Sequence, residues 1–251
     1  MTTPPGAIDS SAPQPAHVSA VGRLGGVLFN PKATFEDIAA KPSFVLPIVL
    51  LCVLSIVVIA AFGQRVGWRG VVERQMERSP RADQITQEQK DAAFAFWGHY
   101  GTYIVGGIAA VSTFVVPVVI AAVLLGVFNL IAGARIGFLQ TLAIVSYSWM
   151  TFALHGILAL IMVFVKAPDS LDIEHLVASN VGAFLSSDSP RWLTTLGTAL
   201  DVFTFWTIVL MGIGFSAASP KKVSIGKGII IVAVCWAIYT AGRVASAGAF
   251  S

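Results

Sequence analysis

The stretch FVLPIVLLCVLSIVVIAAFG, residues Phe44–Gly63, decides the fold class of this chain. It contains no charged residue, and a helix of about 20 apolar residues crosses the ~30 Å hydrocarbon core of a bilayer. A second stretch, Val115–Ile131, reads VVPVVIAAVLLGVFNLI. Neither stretch alternates polar and apolar residues as the strands of a membrane barrel do. Because lipid offers no hydrogen bonds to an unpaired backbone, both stretches are predicted to be membrane-spanning helices.

The composition of the whole chain agrees with these two stretches. Of its 251 residues, 56% are hydrophobic and 12% are charged, whereas a typical soluble domain carries about 25% charged residues. A chain with so little charge cannot cover a water-soluble fold with solvated side chains. The apolar runs predict an all-α, polytopic membrane helical bundle with five transmembrane helices, at about 44–63, 103–132, 139–165, 197–218 and 225–247.

The segments outside the spans differ in character. Residues 1–17 contain four prolines and almost nothing to bury, so they are predicted to form a disordered tail ahead of the membrane domain at 44–247. Residues 18–43 are predicted to be interfacial amphipathic helices, with an exposed linker as the alternative, and Asn30-Pro31 is typical of a helix start. An apolar stripe at 172–186 predicts a second interfacial helix. The sequence Thr86–Gln89 fits a capping box that starts a helix leading into the second span.

The short loops indicate which way the bundle faces. With five spans, the N-terminal tail and the two tight loops share one side of the membrane. Those loops carry Arg135, Lys221 and Lys222 directly at helix ends. Cytoplasmic loops are enriched in Lys and Arg. The N-terminus is therefore predicted to be cytoplasmic and the C-terminus to lie outside.

Polar residues inside predicted spans are the candidate functional residues, because they are costly in hydrocarbon. They are His155, Asn129, Asp201 and Arg243. Asp201 and Arg243 fall near the same outer level of two spans joined by a tight turn, so they are predicted to form an ion pair. That pair either joins two helices or acts as a gate or proton-linked site. His155 is predicted to pack in the core or face a cavity. Asn129 and its neighbour Gln140 are predicted to form hydrogen bonds between helices.

No catalytic or phosphate-binding motif occurs in the sequence. Cys52 and Cys235 lie in apolar runs without metal-ligand spacing, so no enzyme activity, cofactor, metal or nucleic-acid partner is expected. Two stripes of small residues favour close helix packing or self-association. They are Gly98, Thr102, Gly106 and Ala110 in one helix, and Ala237, Ala241, Ala245 and Ala249 in another.

The order of these parts resembles the Yip-domain family of Ypt/Rab-interacting membrane proteins, especially its bacterial members. Leu28–Ile38, LFNPKATFEDI, is similar to the P-x-x-T-F-x-x-I segment ahead of the first span, and Pro42 and Pro47 also fall where the family places prolines. The resemblance covers about residues 24–245. It implies five spans, a cytoplasmic N-terminus and, for a bacterial member, the inner membrane. The D-L-Y-G-P signature of eukaryotic members is absent, so GTPase binding is not carried over.

The leading hypothesis from the sequence is a non-catalytic, membrane-organising or trafficking-like scaffold. It would act through the lipid bilayer, through other membrane proteins or through self-association. The alternative is a small transporter or channel component, which requires a polar cavity lined by His155, Asp201 and Asn129.

Overall fold

The computed structural model describes residues 19–77, 84–168, 171, 173–186 and 189–249. These residues form α-helices joined by short connections, with two 3₁₀ turns at Ile173–His175 and Val181–Phe184. The expected all-α, polytopic membrane bundle is confirmed. The helices are α1 (Ala20–Phe29), α2 (Pro31–Ala40), α3 (Val45–Arg65), α4 (Arg69–Glu77), α5 (Gln87–Leu130), α6 (Phe138–Ser148), α7 (Met150–Val165), α8 (Arg191–Ala199), α9 (Val202–Ala218) and α10 (Ile225–Ala249).

Within the described residues, four helical segments are long and apolar enough to cross a membrane. They are Val45–Arg65, Gln87–Leu130, Phe138–Val165 and Ile225–Ala249. The remaining apolar helix of the predicted set, α9, has 17 residues, which is the lower end of the ~17–25 residues that can cross. Five crossings therefore stay a prediction, and α9 is the helix on which the count depends.

The two ends of the bundle are defined by contacts between its connections. Ser219, after α9, donates a hydrogen bond to the carbonyl of Ala134, between α5 and α6, at 2.9 Å. The end that holds these two short connections is called the proximal end. At the other, distal end, Arg65 at the C-terminus of α3 donates to the carbonyl of Lys166 after α7, at 3.3 Å. Helices α3 and α6–α7 thus run in the same direction.

The second predicted span belongs to a much longer helix. A capping box of Thr86 and Gln89 starts α5, as predicted from the sequence. The helix then continues for 44 residues, about 66 Å at 1.5 Å per residue, roughly twice the hydrocarbon thickness. It runs through Pro117. Its first turns therefore extend beyond the bilayer at the distal end, where α4 packs on them.

Three predicted helical segments have different boundaries in the structure. The third span is divided at Trp149 into α6 and α7. The fourth, predicted from residue 197, is divided into α8 and α9, because Asp201 is the N-cap of α9 rather than an interior residue. The predicted helix at 172–186 is replaced by the two 3₁₀ turns within its described residues, because Asn180 caps a separate turn there.

The apolar residues of α1 and α2 pack into the bundle, and the membrane-surface position of residues 18–41 stays a prediction. Val27, Phe35 and Ile38 are fully buried and belong to the main hydrophobic core. That core also contains Phe128 of α5 and Phe215 of α9, whose rings stack at 3.8 Å. The apolar face of α1 and α2 is thus covered by the spans. The predicted tail at 1–17 lies outside the described residues.

The five-span count predicts that the two ends of the chain lie on opposite sides of the membrane. In a variant with Cys52 and Cys235 replaced by alanine, cysteines at Ser19 and Ala249 should react with a membrane-impermeant maleimide from opposite sides. Both positions lie at the ends of described helices. Labelling is compared before and after the membrane is opened. Reaction of both cysteines from one side would contradict five spans.

Candidate functional site

Helices α1 and α2 form a hairpin whose apex is Asn30. Asn30 ends α1, with its N–H bonded to the carbonyl of Gly26, and it precedes the first residue of α2, Pro31. The two helices approach closely where Gly26 faces Thr34, since a Cβ at Gly26 would lie 2.6 Å from the Thr34 hydroxyl oxygen. Glycine at residue 26 therefore allows the hairpin to close.

A buried ion pair holds the open end of the hairpin. Arg23 is 6% exposed, and its Nε lies 2.7 Å from Oδ2 of Asp37. Its Nη1 donates to the carbonyl of Lys41 at 3.0 Å and to Oγ of Ser43 at 3.2 Å. One guanidinium group thus joins α1, α2 and the approach to α3. Burying a charge is costly unless it is paired and hydrogen-bonded, and these contacts supply both conditions.

The hairpin enters the bundle from its proximal end. Gln140, in the first turn of α6, donates to the carbonyl of Ala39 in the last turn of α2, at 2.7 Å. One turn further in, Phe35 packs beside Ile144, and both line the space around Gly214 of α9. Helix α2 is therefore antiparallel to α6, and its N-terminal end lies about 13 Å deeper than Ala39. The Gln140 contact confirms the hydrogen bond between helices that the sequence predicted.

Helix α1 carries exposed apolar side chains near both of its ends. Phe29 is 88% exposed and Val21 is 71% exposed. Both lie on α1, whereas the buried side chains of the hairpin face the spans. Helix α1 therefore presents apolar side chains that the spans do not cover.

Asn129 stabilises the proximal loop. Its amide group donates to the carbonyl of Ile136 at 2.9 Å and accepts from the N–H of Ile136 at 2.8 Å. These two bonds close a turn in which Gly133 and Arg135 have positive φ angles of 63° and 55°. Asn129 is thus a structural residue of the loop, and both ends of its side chain are engaged.

The predicted ion pair between Asp201 and Arg243 does not form. Oδ1 of Asp201 accepts from the N–H of Thr204 at 3.0 Å, and Oδ2 accepts from the hydroxyl of Ser179 at 2.5 Å. Arg243 is exposed on α10, with its guanidinium 5.9 Å from the centre of the Tyr239 ring. The predicted pair requires Asp201 to lie in the interior of a helix. At the N-cap its carboxylate instead faces the first turn of α9 and the segment at Ser179.

His155 is half-buried on α7, with its ring edge-on to Phe203 of α9 at a centroid distance of 5.2 Å. The structure does not bring together the three residues that the transporter alternative requires. His155 packs on Phe203, two residues after Asp201, so His155 and Asp201 lie near the same level of the bundle. Asn129 lies far from both, at the proximal loop. No polar cavity unites them among the described residues.

Sequence reasoning missed two polar features of the interior. Arg23 and Asp37 were assigned to a surface segment, although a cation within an apolar helical stretch followed by a carboxylate in the next helix was a usable signal. The hydroxyls of Thr151 and Thr207 lie 2.5 Å apart and join α7 to α9. Threonine is common on apolar helices, so this contact had no signal in the sequence.

The polar side chains of the interior do not assemble into a metal site within the described residues. These residues contain no group of three or more His, Cys, Asp or Glu side chains that could hold a metal ion. Cys52 and Cys235 are both free thiols. Next to the division between α6 and α7, the buried hydroxyls of Tyr147 and Ser148 have no hydrogen-bond partner among the residues described.

The Asp201 and Arg243 geometries predict different effects of substitution. Asp201→Ala should lower the free energy of unfolding by about 1–2 kcal/mol, because the cap of α9 is lost. Asp201→Asn, which retains an acceptor oxygen, should lose less. Arg243→Gln should change stability by no more than about 0.5 kcal/mol. Thermal unfolding in mild detergent measures the stability of all three variants. An equal loss of stability for Asp201→Ala and Arg243→Gln would support the predicted ion pair and contradict the geometry described above.

The family model for the Yip1 domain matches residues 25–245. The match begins in the middle of α1 and ends within the last turns of α10. No curated protein and no solved structure matches this chain. Because the match covers most of the sequence, this chain belongs to the Yip1 domain family of membrane proteins.

Proposed function

We propose that this chain is a non-catalytic scaffold of a bacterial inner membrane, which organises the membrane by contacting partner proteins through its inserted hairpin. The proximal end is assigned to the cytoplasm. The observation that carries the proposal is the exposure of Phe29 and Val21 on a hairpin that is otherwise firmly anchored. Val21, Gly25 and Phe29 are spaced by four residues, so they share one exposed face of α1. An exposed apolar helix face beside a rigid support favours helix binding.

The anchoring of the hairpin supports a scaffold rather than a mobile tail. The ion pair of Arg23 and Asp37 fixes its open end, and Phe35 fixes its inner face. A preorganised surface loses less conformational entropy on binding than a disordered one. The hairpin also adds helical volume to the proximal half of the bundle, which favours an effect on membrane shape.

The basic groups of the short connections support the assignment of the proximal end to the cytoplasm. Arg135 lies in one connection, and Lys221 and Lys222 lie in the other. Lys227, in the first turn of α10, directs its ammonium group back to the carbonyl of Lys222 at 3.3 Å. Cations concentrated in short loops at one face are typical of the cytoplasmic side.

The individual roles of the interior polar residues support a non-catalytic function. Asn129 closes a loop, Asp201 caps a helix, and the hydroxyls of Thr151 and Thr207 join two helices. Catalysis requires nucleophiles, bases and charge-stabilising groups to converge on one position. These residues are instead distributed over the length of the bundle.

Photocrosslinking in native membranes tests the proposed contact surface. A photoreactive amino acid is placed at Val21 or Phe29, and at Ile238 of α10 as the matched control. Ile238 is 69% exposed on a lipid-facing helix. We expect discrete protein adducts from Val21 and Phe29 and only lipid adducts from Ile238. Only lipid adducts from all three positions, or the same protein adducts from Ile238, would contradict the scaffold function.

A further inference from the structure

A groove lies on α3, between α5 and α7, in the distal half of the bundle. It encloses about 490 Å³. Its floor follows α3 from Leu51 to Phe62, one wall follows α7 from Trp149 to Ala159, and the other wall includes Thr113 of α5. Ile173 and Leu176 of the distal connection lie over its distal end.

The groove lies within the depth of one bilayer leaflet. Its lining residues on α3, from Leu51 to Phe62, cover about 16 Å at 1.5 Å per residue, and the accessible ones, from Leu54 to Ile59, cover about 8 Å. Half of a ~30 Å hydrocarbon core is about 15 Å. Since α3 and α7 both end at the distal side, the groove begins near the middle of the membrane and ends near its distal surface. A single extended acyl chain of the distal leaflet occupies the same range of depth.

The lining of the groove calls for an apolar occupant. Its hydroxyl groups are already used within their own helices, since Ser55 donates to the carbonyl of Cys52 at 2.9 Å and Thr113 donates to that of Ala109 at 2.8 Å. His155 contributes its ring, which packs against Phe203. The other lining side chains are aliphatic or aromatic. In a membrane, the apolar material that reaches such a groove is the hydrocarbon of the lipid.

Two cations lie at the distal rim of the same helices. Arg65 follows Phe62 by three residues on α3, so it lies on the same face one turn further out. Its side chain is exposed, its Nη2 donates to the carbonyl of Lys166 at 3.3 Å, and its guanidinium lies 5.6 Å from the centre of the Phe164 ring. Lys166 directly follows α7. Arginine retains further N–H donors in this arrangement, and its planar group suits phosphate.

We propose that this groove binds one acyl chain of an anionic phospholipid from the distal leaflet, with the lipid phosphate held by Arg65 and Lys166. The apolar floor supplies the site for the acyl chain, and the two cations favour a lipid with a negatively charged headgroup. This site is independent of the partner surface on the α1–α2 hairpin. Failure of the crosslinking experiment would leave it unaffected.

Native mass spectrometry of the full chain tests the site. The purified protein is mixed with equal amounts of phosphatidylglycerol and phosphatidylcholine that carry the same acyl chains. We expect one phosphatidylglycerol to be retained per chain, in preference to phosphatidylcholine by about tenfold, given two cations near the headgroup. The double variant Arg65→Gln, Lys166→Gln should retain both lipids equally.

Variants that fill the groove test whether the acyl chain of the lipid binds there. Ser55→Phe places a ring in the groove and should abolish retention of both lipids, and Thr113→Phe should do the same from the opposite wall. Val57→Phe is the matched control, because Val57 is an exposed residue of α3 outside the groove. It should retain phosphatidylglycerol as the unchanged protein does. Thermal unfolding confirms that each variant folds.

Four results would overturn the proposal. The unchanged protein could retain the two lipids equally, which would remove the role of the cations. Both folded groove-filling variants could retain lipid as the Val57→Phe control does, which would place the lipid elsewhere. Inorganic phosphate, added in place of lipid, could bind as tightly as phosphatidylglycerol, which would show that no acyl chain is recognised. A second copy of the chain that excludes lipid from the groove would also contradict it.

Discussion

Arg23→Met is expected to lower the free energy of unfolding by about 3–5 kcal/mol, the cost of removing one partner of a buried ion pair. The substitution leaves the carboxylate of Asp37 in the bundle without the guanidinium that lies 2.7 Å from it. It also removes the donors to the carbonyl of Lys41 and the hydroxyl of Ser43. The hairpin should then lose its fixed position beside α6.

A matched set of variants separates the ion pair from a general loss of charge. Lys32→Met removes an exposed cation from the same hairpin and should change stability by no more than about 0.5 kcal/mol. Arg23→Met combined with Asp37→Leu removes both charges. It should recover much of the lost stability, because replacing both members of a buried pair with apolar groups is often close to neutral.

Thermal unfolding in mild detergent measures the stability of these variants. Protease digestion at residues 19–43 reports whether the hairpin remains docked. We expect rapid cleavage of the Arg23→Met hairpin while the spans stay intact. An Arg23→Met protein as stable as the Lys32→Met control would show that the ion pair does not hold the hairpin.

Hydropathy predicted the apolar segments of the bundle because it measures whether a segment tolerates lipid. The same measure does not report which neighbours a segment packs against. Residues 18–41 divide at Asn30-Pro31 into two short amphipathic segments and carry several charges, so the sequence predicts that they lie at the interface. The burial of Phe35 depends on Ile144 and Gly214, which are far away in the sequence. Only the folded arrangement brings those residues together.

Local signals were more reliable than long-range pairing. The capping box of Thr86 and Gln89 and the helix start at Asn30-Pro31 both form as predicted, because each depends on backbone groups within a few residues. The Asp201–Arg243 pair failed because it required the side-chain direction of two helices. A hydrogen-bond acceptor such as Asp is equally suited to a helix N-cap. The predicted fourth span contains no helix-breaking residue that would indicate an N-cap at Asp201.

The stripes of small residues also show that a sequence pattern does not identify the partner against which it packs. In α5, Thr102 accepts a hydrogen bond from Nε1 of Trp68 at 2.8 Å, and Gly106 faces Ile59 of α3, so these two residues of the stripe pack within the bundle. In α10, Ala237, Ala241 and Ala245 are exposed. The close approach of α10 to α9 uses glycines outside that stripe. Periodicity identified surfaces that allow contact, but it did not identify which surface is used.

Gly228→Leu is expected to separate α9 from α10 and to lower the free energy of unfolding by about 3 kcal/mol, the upper end of the usual cost of overpacking. A Cβ at Gly228 would lie 2.6 Å from the carbonyl oxygen of Gly212 and 3.1 Å from its Cα. The reverse contact is equally tight, since a Cβ at Gly212 would lie 2.6 Å from the backbone nitrogen of Ile229. These neighbours are backbone atoms, so no side-chain rotation relieves the overlap.

The matched control for Gly228→Leu is Gly242→Leu on the same helix. A Cβ at Gly242 meets nothing within 4 Å. Leucine also favours the helical conformation over glycine by up to about 1 kcal/mol. The control should therefore leave the melting temperature unchanged or raise it, whereas Gly228→Leu should lower it by several degrees. A double variant of Gly228→Leu and Gly212→Leu should not recover stability, because both changes push the same two backbones apart. If Gly228→Leu and Gly242→Leu melted at the same temperature, the direct backbone contact between α9 and α10 would be refuted.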